Sequence, residues 1–461
     1  MDDWQSAFTE TEYDAVVLGT GMKECLISGL LSVEGKKVLH LDRNPYYGGD
    51  SASLQLKQFY AKFRGEGVEP DEAKLGKQRD YCVDLIPKFI MAGGKLVQVL
   101  VHTKVNDYME FKTVSGAYVY RRGDIAQVPT TAGEAMQSSL MGMMEKTRAV
   151  QFFAWVNNYK PADPQTHSAG VFRKRTFDLT KITAQEFFKY WELEADTMEF
   201  VGHACALYTD DSFMTLPAAE VVARIQLYKD SFTAFNDMKS PFIYPLYGLG
   251  ELPQAFARLA AVYGGLYMLR RPVDRVVFED GVAVGVEAEG VVAKAKYVIG
   301  DPSYFPDNVR KTKKIIRAIA ILDHALPGTN DCDSCQVIFP QRQVNRKNDI
   351  YLFSCSYNHH VAPPGKFLAF ASTIVEGPTE GVTQKDIANR ELGPALKLMQ
   401  PFLDVFTDMY DYAEPLEDGV ASKLVISKSY DPTSHFEGEI SDVLDMYERI
   451  TGKPLPLGQP K

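Results

Sequence analysis

Cysteine is scarce and poorly placed for a metal site. The six residues stand at 25, 82, 205, 332, 335 and 355, and the one close pair, Cys332-Asp-Ser-Cys335, has no second pair to complete a zinc centre. A surface loop is expected there, and no metal is. Positive charge is also in deficit. Lys and Arg number 50 against 60 Asp and Glu, a formal net charge of −10, which argues against nonspecific binding to nucleic acid. The local basic clusters, Lys74 to Arg79 and Arg310-Lys-Thr-Lys-Lys314, read as solvated faces. The eight histidines are dispersed apart from His359-His360, which is expected in an exposed turn. No apolar run approaches a membrane span, and the acidic start Met1-Asp-Asp-Trp4 lacks a charged-then-apolar leader. The end, Gly458-Gln-Pro-Lys461, is not a prenylation box. A cytoplasmic protein is expected. Missing too are a GxSxG elbow, an HExxH helix and a phosphate loop, because Gly29 to Gly35 has one residue too many between glycines and Lys37 stands where Ser or Thr is required.

What is present is a soluble-protein composition, 45% apolar and 24% charged over 461 residues, with a recognisable start. Tyr13-Asp-Ala-Val-Val-Leu18 reads as a buried strand, Gly19 and Gly21 as the tight turn of a dinucleotide-binding unit, and Cys25 to Val33 as its helix. The third glycine position is occupied by Glu24. A carboxylate in that first turn competes for the positive helix end and repels an anionic ligand, so the fold signal survives while the cofactor signal is damaged. Lys37 to Asp42 is a second strand ending in an acid, where such units hold a ribose hydroxyl. Gly48-Gly49 then turns the chain.

Farther on, Tyr118 to Pro129 alternates as strands do. Leu140 to Val156, Ala184 to Glu192, Asp196 to Leu207 and Ala218 to Lys229 carry apolar residues at helical spacing. Strands are expected again at 267–301, in Ile315 to Leu322, Gln336 to Phe339, Ile350 to Ser354 and Lys366 to Val375. The architecture implied is α+β: a large domain from 1–130 and 230–461, interrupted by a helical insert at 131–229. A flavin enzyme and a non-catalytic protein on a flavoprotein scaffold both remain open. His435 through Ile450 reads as an acidic amphipathic helix with Gly438 as its only glycine, too few for a backbone to approach an isoalloxazine ring.

Several long segments resemble the Rab GDP dissociation inhibitors, relatives of the Rab escort proteins. They are Val17-Leu-Gly-Thr-Gly-Met-Lys-Glu-Cys25, Leu41-Asp-Arg-Asn-Pro-Tyr-Tyr-Gly-Gly49, Arg79-Asp-Tyr-Cys-Val-Asp-Leu-Ile-Pro-Lys-Phe89, Ser240 through Arg258 and Ser429-Tyr-Asp-Pro-Thr-Ser-His-Phe436. The resemblance implies a fold like that of FAD-dependent oxidoreductases, a Rossmann-type βαβ unit plus mixed sheet with a smaller all-helical insert, and no bound flavin. It implies a monomeric, non-catalytic cytosolic protein that binds GDP-loaded, geranylgeranylated Rab GTPases, slows GDP release and removes them from membranes through transient contact. By matching motif, Tyr47, Glu251, Arg258 and Met268 form the GTPase platform, with Lys77 and Arg79 on a basic loop beside it. Glu251 and Arg258 lie two helical turns apart and project from one face. The geranylgeranyl lipid would enter the insert near Met141, Met144, Val201 and Cys205. Burying one such chain yields on the order of 10 kcal/mol gross, which competes with a bilayer only when protein contacts are added. The chain departs from the family pattern at Tyr81, Thr147 and Asn236. An escort protein is the nearest alternative and a flavin-dependent amine oxidase a remoter one.

Overall fold

The computed structural model describes residues 3–129, 142–169 and 176–458. A short helix α1 (Asp3–Thr9) precedes β1 (Tyr13–Leu18), α2 (Met22–Val33) and β2 (Val38–Leu41), the expected βαβ unit. β1 is buried along almost its whole length because it runs between two parallel neighbours, β2 and the strand Val291–Gly300. Leu266–Met268 adds to the far side of β2, and Leu424–Ile426 pairs in parallel with the end of Val291–Gly300. The other end of that long strand pairs with an antiparallel meander, Arg275–Glu279 and Val282–Ala288.

A second sheet runs in the order Asp404–Pro415, Val309–Leu322, Phe367–Ile374, Ile350–Ser356, Ser334–Phe339, Gly116–Arg121, Asp124–Gln127. It is mixed, as expected: Gly116–Arg121 joins Ser334–Phe339 in parallel and the other pairings are antiparallel. The strand Asp404–Pro415 was not anticipated. Its many acids and tyrosines hide the apolar alternation, and its Asp411 and Glu414 pair with Lys311, Lys314 and Arg310 of the neighbouring strand. The basic cluster is thus a neutralised face.

Two sequence expectations are corrected here. Cys335 is no loop residue but is buried in the strand Ser334–Phe339, with only Cys332 partly exposed. His359 is fully buried, where an exposed turn was expected.

α2 is buried from Met22 to Ser32 because it is clamped between the sheet and the helices Glu251–Val262 and Glu437–Thr451. Gly29 allows the tight crossing: a Cβ there would meet the Phe256 ring at 2.9 Å.

Between residues 142 and 231 the described chain is helical: Met143–Asn158, Ala184–Tyr190, Ala195–Glu199 and Ala218–Ser231. Their core is aromatic. Trp155, Phe177 and Phe187 meet edge-on or tilted with centroids 5.3–5.5 Å apart, and Phe152 packs on Phe187 and Trp191. Ala195–Glu199 runs on into a π-helical turn, Phe200–Cys205, a wide turn often found where a helix is used rather than merely packed.

His203, at the centre of that turn, joins the helices to the second sheet. Its Nδ1 lies 2.6 Å from Asp349 Oδ2 and its Nε2 3.2 Å from Asp211 Oδ1. Burial alone would lower the imidazole pKa, but Asp211 and Asp349 outweigh it and lift it to about 9. Because the folded value lies above that of a free imidazole, the stabilisation is fully present below pH about 6.5 and is lost as pH rises through about 9. His203→Gln, which leaves the Asp349 carboxylate without a cation, is expected to cost on the order of 3 kcal/mol in denaturant unfolding and to flatten the fall in stability between neutral and alkaline pH. An unchanged pH profile would show that the joint is held by other contacts.

Candidate functional site

The Gly19–Gly21 turn has the backbone of a dinucleotide site, but side chains of this chain fill it. Gly19 has φ +92°, and a Cβ there would come within 2.5 Å of Asp301 Oδ2. A Cβ at Gly21 would lie 2.5 Å from Glu24 Oε2. The first amide of α2, which would receive a pyrophosphate, donates instead to the hydroxyls of Ser51 and Tyr430, each at 3.1 Å. Asp42, the candidate ribose ligand, is saturated internally. Its Oδ2 accepts from Thr20 N and Thr20 Oγ1 at 2.7 and 2.6 Å, and its Oδ1 from Asn44 N at 2.7 Å. These residues do not fit a flavin dinucleotide.

Glu24 is buried, which the sequence did not indicate. Burial, reinforced by the Asp301 carboxylate, pushes its pKa up to about 8, which weakens the negative charge expected of it. Its Oε1 accepts a hydrogen bond from Ser427 Oγ at 2.7 Å. Beside it, Lys23 is buried with its ammonium 2.6 Å from Glu439 and 3.0 Å from Asp442. Burial, which would lower the Lys23 pKa, is outweighed by these carboxylates, and the pKa is raised well above the ordinary value.

The filled turn is wired to the surface. His40 donates from Nε2 to the Gly19 carbonyl at 2.6 Å and stacks on Tyr267 with centroids 4.3 Å apart. Tyr267 in turn meets the half-buried Tyr47 ring at 6.1 Å. Gly48 and Gly49, at φ +102° and +51°, make the turn that presents Tyr47. Met268 is half-buried at the end of its strand, where its carbonyl accepts from Asp42 N at 3.0 Å. Tyr47 and Met268 thus border one edge of the first sheet.

Glu251 opens the helix Glu251–Val262 and Arg258 follows two turns later; both are exposed, while Leu252, Phe256 and Leu259 of the opposite face are buried. Among the described residues Glu251 and Arg258 form no ion pair with each other. The Arg258 guanidinium lies over the Tyr108 ring, 4.7 Å from its centroid. Lys77 and Arg79 are exposed around the turn Gln78–Asp80, and Arg79 approaches Asp80 at 3.8 Å.

The lipid candidates are less coherent. Met141 lies outside the described residues. Met144 is 77% exposed in the first turn of its helix, whereas Val201 and Cys205 are buried in the π-helical turn. Of the divergent positions, Tyr81 is buried and donates to the Leu75 carbonyl at 2.7 Å. Thr147 Oγ1 bonds back to the Met143 carbonyl, and Asn236 is exposed.

Comparison with known proteins settles the family. The family model for GDP dissociation inhibitors matches residues 9–461. The chain belongs to the GDP dissociation inhibitor family. It is 51% identical to guanosine nucleotide diphosphate dissociation inhibitor 2 of Arabidopsis thaliana over 449 residues, 97% of each chain. A crystal structure of Rab GDI from Plasmodium falciparum superposes with a TM-score of 0.88 at 39% identity, over 96% of this chain and 99% of that one. An oxidoreductase from Methanosarcina mazei shares the fold, with a TM-score of 0.55 at 15% identity over 95% and 100% of the two chains.

Within this GDP dissociation inhibitor the closing residues missed at the level of sequence are Ser51, Asp301, Ser427 and Tyr430, which come from three separate segments. Tyr430 had a signal through its place in the Ser429–Phe436 motif, and Asp301 through its place at the end of the β-rich segment 267–301. The number of groups filling the turn makes a clear expectation. Glu24→Ala, although it restores a small residue at the third position, is expected to gain no affinity for FAD in a fluorescence-quenching titration; saturable binding would show that Glu24 alone closes the site.

Proposed function

We propose that this GDP dissociation inhibitor binds Rab GTPases in the GDP form through Tyr47, Glu251, Arg258 and Met268, with Lys77 and Arg79 at the margin. It takes geranylgeranylated Rabs off membranes, slows GDP release and carries them through the cytosol for reuse in vesicle transport. The reading is of a non-catalytic monomer that touches membranes only transiently. Segments 1–130 and 230–461 provide the platform, and 131–229 receives the lipid.

The observation that carries this reading is the pair of exposed, unlike charges on one face of a helix whose other face is locked into the core. A charged pair that makes no ion pair with itself, on a rigid element, suits recognition of a polar protein surface. Tyr47 adds an aromatic anchor of the kind that concentrates interface energy. The π-helical turn supplies the insert with a segment able to change helical register, and Met144 offers a flexible apolar side chain at its edge. The family membership supplies the partner class, and the Rab named for the Plasmodium relative supplies the GTPase type.

Glu251→Ala and Arg258→Ala are each expected to weaken binding of a GDP-loaded, geranylgeranylated Rab by more than about 1 kcal/mol, the level of a meaningful contact, with thermal unfolding unchanged. Titration of Rab carrying a fluorescent GDP analogue measures this. Wild-type affinity in both variants would remove the helix from the platform.

A further inference from the structure

The helix that carries Glu251 and Arg258 has no side-chain cap of its own at Gly250, and the chain enters it through an awkward turn: Tyr247 has φ +64° and Gly248 +85°. Such a turn persists only when its surroundings over-determine it. The means is a carboxylate buried beneath it. Asp84, 2% exposed on the short strand Val83–Asp84, accepts from Leu249 N at 2.9 Å and from the hydroxyls of Tyr244 and Ser53. Ser53 Oγ in turn accepts from Gly250 N at 2.7 Å. A Cβ at Gly248 would lie 2.6 Å from Asp84 Oδ1, so the backbone rests directly on the carboxylate. Two flanking bonds complete the clamp: Tyr247 N to the His359 carbonyl at 3.0 Å and Cys82 Sγ to the Tyr247 carbonyl at 2.7 Å.

The arrangement is one-sided. Asp84 meets donors, and a carboxylate is the side chain that offers only acceptors. Burial pushes its pKa up to about 6, against the donors that hold it down, so it remains mainly ionised at neutral pH in a site that makes the charge costly. Its negative charge also faces the positive end of the helix that follows. A buried charge kept at a cost beside a surface helix sets where that helix begins.

We propose that Asp84 is a positioning residue of the GTPase platform: with Ser53 and Tyr244 it holds the turn at Leu249 and Gly250 that leads into the helix Glu251–Val262 and so fixes the direction in which Glu251 and Arg258 project, without touching the partner itself. The inference rests on the reading that these two residues contact a GDP-form Rab.

The test uses the full chain, geranylgeranylated Rab with fluorescent GDP, and the variants Asp84→Asn, Tyr244→Phe, Glu251→Ala and the double Asp84→Asn/Glu251→Ala. Asp84→Asn is expected to weaken binding by ~10-fold or more and Tyr244→Phe by a smaller factor in the same direction. The double variant should lose less than the product of the single losses, since both act through one contact. A purely structural defect would loosen the whole chain. Here, amide exchange should accelerate at Leu249 and Gly250 while the strand Val309–Leu322 keeps its protection. If Asp84→Asn does not fold, Tyr244→Phe and Ser53→Ala decide, because each removes one hydroxyl from the same clamp. Wild-type affinity in the Asp84 and Tyr244 variants, alongside a weakened Glu251→Ala, would overturn the inference and leave the platform standing. Multiplicative losses in the double variant would overturn it as well. Failure of the wild-type protein to bind would instead overturn the platform reading and this inference with it.

Discussion

Two buried ammonium groups share one buried carboxylate, and the closed cleft depends on that sharing. Lys23, in the first turn of α2, and Lys88 reach opposite oxygens of Glu439 at 2.6 and 3.2 Å, while Asp442 completes the shell of Lys23 and Asp431 that of Lys88. Removing any one member would strand a charge in the interior, a penalty of several kcal/mol, so the five residues stand or fall together. They tie the C-terminal helix Glu437–Thr451 to the start of α2 and bring Tyr430 and Ser427 over the Gly19–Gly21 turn. In a dinucleotide-binding unit the space outside such a glycine turn receives the ligand. Here it is part of the core.

Once the cleft is filled, the scaffold has a different use. A dinucleotide fold with an open cleft has a ligand to order its loops; this chain orders them with its own side chains. The relay from Gly19 through His40 and Tyr267 to Tyr47 makes the blocked turn a support for a half-buried aromatic, and burial keeps His40 neutral, with its pKa lowered to about 4. The neighbouring helix Glu251–Val262 is anchored on α2 at Gly29 and, at its start, on Asp84. A rigid surface of this kind meets a partner with little ordering cost, which favours affinity from a modest number of contacts. The helical insert is joined to the second sheet through a buried polar contact centred on His203, set in an apolar core that the insert shares with the large domain.

Much of this was legible in the sequence where local patterns suffice. The buried run Tyr13–Leu18, the glycines at 19 and 21 and the acid at 42 announce the βαβ unit. The helical spacing at 184–192 and 218–229 matches the helices Ala184–Tyr190 and Ala218–Ser231, and the strands of the second sheet other than Asp404–Pro415 lie where the apolar patterns put them. Glu251 and Arg258 share an exposed face because a seven-residue interval is two helical turns. What escaped is non-local. Nothing near Lys23 indicates that its partners are Glu439 and Asp442, and a lysine beside a glutamate in a helix's first turn reads as a solvated pair. The sequence placed a free carboxylate at the helix start, whereas burial beside Asp301 raises the Glu24 pKa above the ordinary range. His359 and Cys335 were misjudged for the same reason, since burial of a short segment is decided by what packs over it. Asp84 had a signal only through its place in the Arg79–Phe89 motif, because its partners Tyr244 and Leu249 are distant in the chain.

The central claim is that a closed dinucleotide fold serves as a lipid-assisted receptor for GDP-form Rab GTPases. Its most direct test is a titration of one fluorescent-nucleotide Rab in four states, with and without geranylgeranyl and with GDP or a GTP analogue, run beside release of the lipidated form from liposomes. The account predicts tightest binding for the lipidated GDP form, because two linked sites raise the effective concentration of each contact, and weaker binding of the GTP form, whose ordered switch segments present a different surface. It also predicts release from liposomes by the lipidated GDP form. Equal affinity in all four states, with the Rab remaining on the liposomes, would contradict it.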